Sequence, residues 1–404
     1  MFSYSFVLFN FKIYMKKLNF ILIIIVVSQF LCTSLWFAGN GVISDLIQVF
    51  NLDTNALGHI TSSVQFGFIT GTLLFALLSI ADRYSPSKVF FVCAILGALC
   101  NIGIILKNNT FISIITLRFF TGFFLAGIYP VGMKIASDYF EKGLGKSLGF
   151  LVGALVLGTA FPHLLKNIKG TLPWEFVIYT TSVLAALGGI LMLLLIPDGP
   201  YRKASQKLQL SAIKTIFKKK DFRAFSFGYF AHMWELYTFW AFVPVMIKMY
   251  QENYPMTSFN TSLLCFLIIG IGGLSCILAG FLAQRLSNKT IAFYALLFSC
   301  ICCIISPIFF AINSQVLFVS FLLFWGIVVI ADSPLFSTLV AQNAPVELKG
   351  TALTIVTSIG FFISIISLQL INQLQTITNS SIILTILAIG PVLGLIALKR
   401  KNKS

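Results

Sequence analysis

Apolar residues fill this chain in blocks of about 20, separated by short polar stretches. A helix of that length crosses a hydrocarbon core of ~30 Å. In lipid a segment must satisfy its own backbone polar groups, and a continuous apolar run does so as a helix. A barrel would need alternating strands of about ten residues, and the runs here do not alternate. Blocks set against breaks predict twelve spans, at 18–40, 58–80, 89–106, 110–134, 147–166, 174–197, 224–247, 258–283, 290–311, 314–338, 350–372 and 380–398.

The breaks orient the chain. With a cytoplasmic N-terminus, 22 of the 28 Lys and Arg fall in inner segments and only Lys107, Lys166, Lys169 and Lys248 in outer ones. Basic residues concentrate in cytoplasmic loops, so both termini are expected inside. An odd number of spans would spoil that alternation. The longest polar stretch, 198–223, carries eight basic residues and falls at the midpoint. It divides the chain into a tail at 1–17, a six-helix unit at 18–197, a basic cytoplasmic linker at 198–223, a second six-helix unit at 224–398 and a tail at 399–404. Residues 208–219 form either an amphipathic surface helix drawn to anionic lipid or a solvated tether.

The two units match each other. Asp82-Arg83 and Gln284-Arg285 are 202 positions apart, Gly145-Lys-Ser-Leu and Gly350-Thr-Ala-Leu 205, and Ser34-Leu-Trp36 and Thr238-Phe-Trp240 204. Three matches at nearly one offset point to a duplicated six-helix unit.

Composition agrees. The chain is 58% hydrophobic and 10% charged, against roughly 25% charged in soluble domains. The net charge of +16 sits in loops and at the ends, which excludes nucleic acid as the partner. Eight cysteines all lie in apolar segments without metal-ligand spacing, as small core residues do. Lys16 and Lys17 precede an apolar run, but no cleavage site follows, so the run is a span and not a signal peptide. Met15-Lys16-Lys17-Leu18 looks like a natural start, which leaves 1–14 as an extension.

Over nearly its whole length the sequence resembles the major facilitator superfamily. That family has Gly-x3-Asp-Arg-x-Gly-x-Arg-Arg after its second helix. This chain has Leu78-x3-Asp82-Arg83-Tyr84-Ser85-Pro86-Ser87-Lys88, and after span eight Gly280-x3-Gln284-Arg285. The resemblance implies two six-helix bundles, with these loops locking the halves in the outward-open state. Arg118-x3-Gly122 is similar to the family's fourth-helix motif. Span five has Gly153-x4-Gly158 with Pro162 in place of the Gly-Pro pair of drug antiporters. The segments 35–40, 232–237 and 331–334 look like bacterial members loosely called nitrate/nitrite or cyanate permeases, which implies a multi-pass protein of the bacterial inner membrane. Nitrate carriers place an arginine on helices two and eight. Neither span has one here, which argues against nitrate.

An ionisable residue within a span is costly and so points to function. Arg118 lies about 8 residues into span four, roughly 12 Å from its outer end. It could clamp an anionic group in two-pronged fashion, release a carboxylate in a proton relay, or tie helices together. Glu235 lies about 11 residues into span seven, near mid-membrane. A carboxylate held out of water suits reversible protonation, and Glu235 is expected to pair with Arg118 or to be held by neutral donors. His232, one turn earlier, shares its face and could tune it. Asp332, before Pro334, is a second proton site or a helix-bend acceptor from Ser333 or Thr338. Trp36, Asn40, Tyr129, Trp234, Tyr237 and Trp240 are expected to line the pocket, or, for the tryptophans, to mark the membrane interface. Gln65 is a further polar candidate. Lys134 and Asp138, four apart, read as an inner-gate ion pair beside the Asp82, Arg83, Gln284 and Arg285 loops. Gly67-x3-Gly71 and Gly122-x4-Gly127 read as close helix packing.

No phosphate-cradling loop is present, so this chain alone does not drive ATP-powered transport. No nucleophile–base pair or metal cluster suggests an enzyme, and no cofactor is expected. The fold expected is all-α, twelve transmembrane helices in two pseudo-symmetric bundles. The expected function is secondary transport of a small anionic solute, coupled to an ion, most simply the proton. Ligand would bind between spans 1, 4, 7 and 10, in a lipid-embedded monomer. Efflux by proton antiport and a transporter-like sensor are the alternatives.

Overall fold

The computed structural model describes residues 2–53, 55–140, 144–168, 173–202, 213–378 and 380–399. Its membrane helices are α1 (Phe2–Thr33), α2 (Ala56–Leu77), α3 (Pro86–Ile105), α4 (Phe111–Tyr139), α5 (Ser147–Ile168), α6 (Glu175–Leu195), α7 (Lys220–Asn253), α8 (Thr261–Leu286), α9 (Asn288–Ala311), α10 (Gln315–Asn343), α11 (Lys349–Ile377) and α12 (Ser381–Lys399). Ten of them are long and apolar enough to cross a bilayer. The other two are α1, which breaks after Thr33, and α7, which carries His232 and Glu235. The helix α1 begins at Phe2, so residues 2–14 continue the first span as helix. The linker residues 203–212 and the tail 400–404 lie outside the described residues. Of the expected surface helix, only Ile213–Lys218 is described, and it is helical.

Local chemistry starts the helices where they start. Thr110 and Ser113 form a reciprocal capping box at α4. Asn260, Ser287 and Ser314 accept the first free backbone N–H groups of α8, α9 and α10. Both α4 and α10 break, at 126–128 and near Asp332, and each resumes with a proline in the first turn, Pro130 and Pro334. Those prolines are 204 positions apart, so the internal repeat extends to the helix breaks.

Small residues set the helix spacing. A Cβ on Gly122 would collide with the carbonyl of Val64, and one on Gly67 with that of Phe119. The crossing of α2 and α4 therefore depends on bare backbone, as the glycine spacing implied. The halves meet along α5 with α8 and α2 with α11. At the first contact a Cβ on Gly153 would lie 3.1 Å from the Gly273 carbonyl.

The second contact is polar. Gln369 Nε2 donates to Gly58 O at 3.1 Å and to Ser62 Oγ at 2.8 Å, and Asn372 Nδ2 donates to Asn55 O at 3.1 Å. Asn260 donates to Asn167 nearby. These bonds close the bundle at the end opposite the termini, called the far face below.

Candidate functional site

The break in α1 organises the N-terminal half. Residues 34–37 are turns, followed by short helices at Ala38–Gly41 and Ile43–Val49. A broken helix exposes backbone carbonyls that need donors. Arg118, fully buried on α4, supplies them. Its Nη2 donates to Leu35 O at 3.0 Å and Trp36 O at 2.5 Å, and its Nη1 donates to Asn101 Oδ1 at 3.1 Å. Asn101 in turn donates to Thr181 Oγ1 and Ser182 Oγ on α6. Arg118 therefore ties α1, α3, α4 and α6 together. This corrects the expected pairing of Arg118 with Glu235. Among the described residues no carboxylate lies within 4.0 Å of the guanidinium. An anion clamp needs the fork to face a ligand, and here both Nη atoms face protein.

The turn in α1 delivers Trp36 to the centre of the molecule. Its ring stacks on Tyr237 of α7 at 5.8 Å and packs on Phe68 of α2 and Phe361 of α11 at 4.9 and 5.6 Å. Tyr237 also meets Trp240 edge-on at 5.4 Å. Trp36, Tyr237 and Trp240 are all buried, which places them at the junction of the halves and not at a membrane interface. Asn40, one turn beyond Trp36, donates to Thr61 Oγ1 at 2.7 Å. Gln65, one turn beyond Thr61, accepts from Ser364 Oγ at 3.1 Å. Tyr129 is half-buried and faces the C-terminal half, near Tyr229 and Cys276. Trp234 does not join them. Its Nε1 donates to Ile386 O on α12 at 3.3 Å, because position 234 turns away from the other half.

The ionisable groups of the C-terminal half separate into two sites. His232 Nδ1 lies 2.7 Å from Asp332 Oδ1, and both side chains are buried. Glu235 Oε1 accepts from Ser299 Oγ at 2.5 Å and Trp325 Nε1 at 2.6 Å. The sequence put His232 beside Glu235. The structure gives His232 to Asp332 instead, and gives Glu235 to Trp325, seven residues earlier on α10, and to Ser299 of α9. It also replaces the expected Ser333 or Thr338 bond of Asp332, because the Thr338 hydroxyl turns back to Pro334 O. Ser299 and Trp325 were not identified from sequence. They sit within uniformly apolar blocks, and nothing in those blocks marks them.

At the terminal face, Lys134 lies 3.0 Å from Asp82 and 3.8 Å from Asp138. The expected inner pair is thus a triad, with the loop acid as the closer partner. Arg202, the start of the linker, donates to the carbonyls of Asp82 and Tyr84 at 3.0 and 2.8 Å and pairs with Asp198. The linker therefore braces the loop after α2, which its sequence did not announce. Arg83, Gln284 and Arg285 are exposed.

The model of the Major Facilitator Superfamily matches residues 25–368. The chain belongs to the major facilitator superfamily. No curated protein matches it. Among solved structures, a variant of the nucleoside transporter NupG superposes with TM-score 0.69 at 16% identity, covering 94% of this chain and 98% of that one. A bacterial homologue of the human lysosomal transporter Spinster, inward-facing and unoccupied, gives TM-score 0.68 at 14% identity, covering 95% and 94%. The proton:xylose symporter XylE, bound to 6-bromo-6-deoxy-D-glucose, gives 0.71 at 14%, covering 94% and 95%. At these identities the likeness carries the facilitator fold alone. Family and fold together support secondary transport across a membrane, without separating the nitrate- and cyanate-type members from the others.

Proposed function

We propose that this facilitator carries a small solute by alternating access, coupled to proton movement through the C-terminal half. The observation that carries the reading is the set of three buried ionisable side chains, His232, Glu235 and Asp332, on α7 and α10. Among the described residues neither carboxylate has a Lys or Arg within 4.0 Å. A buried charge without a partner costs several kcal/mol, and taking up a proton removes that charge. Asp332 can exchange a proton with His232 across 2.7 Å. Glu235 is held by neutral donors and forms a second acceptor one turn along the same helix.

In the topology set by the basic loops, the far face is outside and both termini are cytoplasmic. The amide contacts between α2 and α11 then close the outer side, and the Lys134 triad lies at the inner one. The solute site is the buried junction of Trp36, Asn40, Tyr237 and Trp240, on the midline between the halves.

The test is uptake into proteoliposomes. Asp332→Asn and Glu235→Gln should keep solute exchange and lose the pH dependence of uphill uptake. Unchanged pH dependence in both variants refutes proton coupling through these residues.

An anionic solute is a second reading, and one observation favours it. The Arg118 charge has no carboxylate partner among the described residues. Arg118→Gln should then abolish uptake of the anion, and normal uptake in that variant refutes this reading.

A further inference from the structure

The helices α2 and α11, which close the far face, run antiparallel in one register. The side-chain amide of Asn372 stands where a Cβ on Gly58 would go. Gln65 Oε1 accepts from Ser364 Oγ at 3.1 Å, and the rings of Phe68 and Phe361 lie 4.7 Å apart. Each step along α2 towards the terminal face is matched by an equal step back along α11. Residues seven apart return to the same side of a packed helix. Thr72 is 14 positions beyond Gly58, and Ser358 is 14 positions before Asn372. The register therefore sets Thr72 opposite Ser358, one turn past the Phe68–Phe361 contact on its terminal-face side.

Both hydroxyls are buried, and neither has a hydrogen-bond partner. Thr61 and Thr70 of α2, and Ser364 and Ser367 of α11, turn back to carbonyls of their own helices. Thr72 and Ser358 do not. Buried polar groups are nearly always paired, and an unpaired one costs its desolvation. Two such groups at facing positions of one register are what a bond belonging to another state leaves behind. A hydroxyl both donates and accepts. The same helix α11 already makes a hydroxyl pair of this kind, Ser367 Oγ with Thr238 Oγ1 at 2.7 Å.

We infer that Thr72 and Ser358 form an inner latch, a hydrogen bond made when the outer amide contacts of Gln369 and Asn372 open. The fulcrum is the Phe68–Phe361 contact, backed by the Trp36 ring at 4.9 and 5.6 Å. Rotation about it parts Gln369 from Gly58 and Ser62 and draws Thr72 to Ser358. Three amide bonds are lost and one hydroxyl bond is gained, so the form closed at the far face is the resting one. The inference rests on the transport reading only for the existence of a second state.

Hydrogen–deuterium exchange of the purified full-length chain reads how often the outer end of α2, residues 56–62, opens. Thr72→Val keeps the side-chain shape and removes the hydroxyl. It takes the latch from the open form and an unpaired group from the resting form, so exchange there should slow roughly tenfold. Ser358→Ala should do the same. The double variant should be no slower than either single one, because one bond is lost once. Thr72→Ser keeps the hydroxyl and should exchange as the parent does. Hydroxyls with separate structural roles would act additively or not at all. In a cysteine-free background, Thr72→Cys with Ser358→Cys should form a disulfide on mild oxidation, since the latched pair lies within disulfide reach. Adding Gln369→Leu, which removes two outer bonds, should speed that reaction roughly tenfold. No disulfide, an equal rate with and without Gln369→Leu, or additive effects of the two hydroxyls overturns the inference. Neither measurement needs a solute. A failed latch therefore leaves proton-coupled uptake standing, and a parent protein that takes up nothing leaves the latch standing.

Discussion

Replacing Arg118 with methionine separates a structural arginine from a ligand clamp. The substitution keeps most of the stem volume and removes the guanidinium. Three hydrogen bonds are lost, to Leu35 O, Trp36 O and Asn101 Oδ1. Hydrogen bonds from a charged donor contribute about 1.5–3 kcal/mol each, and the two carbonyls at the α1 break are left without donors. Against this, the protein no longer buries a charge, a cost of several kcal/mol in the native state. The balance predicts a net loss of about 3 kcal/mol in the unliganded protein. Arg118→Lys should fall between the two, since one ammonium lacks the planar fork that reaches helices α1 and α3 together. The assay is reversible unfolding of the purified protein in mixed SDS micelles with no solute present. Full stability of Arg118→Met without solute, combined with loss of solute affinity, would refute the structural role and restore the clamp.

Other consequences follow from the packing and from the far-face contacts. Gly122→Ala forces a methyl against the Val64 carbonyl, and overpacking of this kind costs about 1–3 kcal/mol. The yield of monodisperse protein should fall sharply, and an unchanged yield would mean that α2 and α4 are not so closely crossed. Gln369→Leu removes both bonds to α2 and should favour the form open at the far face. In a cysteine-free background, maleimide labelling of the buried position Leu57→Cys on α2 in detergent should then accelerate, and an equal rate would refute the amide latch. Trp234→Phe gives up only a 3.3 Å bond to α12, so transport should stay within about twofold of the parent.

Much of the fold is visible in the sequence because a bilayer imposes one strong rule, an apolar run long enough to cross it. The two weakest spans show where that rule stops. Span seven carries His232, Glu235 and several aromatics, which lower its hydropathy while the structure buries them against neighbouring helices. Span one looks continuous, since Ser34-Leu35-Trp36-Phe37 contains neither glycine nor proline. Its break is held by Arg118, a residue more than 80 positions away, and no local pattern encodes that. The breaks of α4 and α10 are different, because Pro130 and Pro334 mark them in the chain itself.

The candidate site was legible as a set of residues and not as a set of pairs. Scarcity alone marks Arg118, Glu235, His232 and Asp332, since ionisable groups within spans are rare. Their partners depend on helix rotation and crossing, which periodicity does not fix. A spacing of three put His232 and Glu235 on one face, yet α10 meets them two turns apart, His232 through Asp332 and Glu235 through Trp325, with Ser299 of α9 beside the latter. Trp234, one residue from Glu235, is rotated by about 100° and meets α12 instead.

Proton movement accompanying solute entry tests the central claim most directly. Proteoliposomes holding a pH-sensitive dye in the lumen, with no initial gradient, should acidify when a transported solute is added outside. Asp332→Asn should exchange the same solute without the pH change. Solute entry with no lumenal acidification in the parent protein, or equal acidification in Asp332→Asn, would contradict coupling through the His232–Asp332 pair.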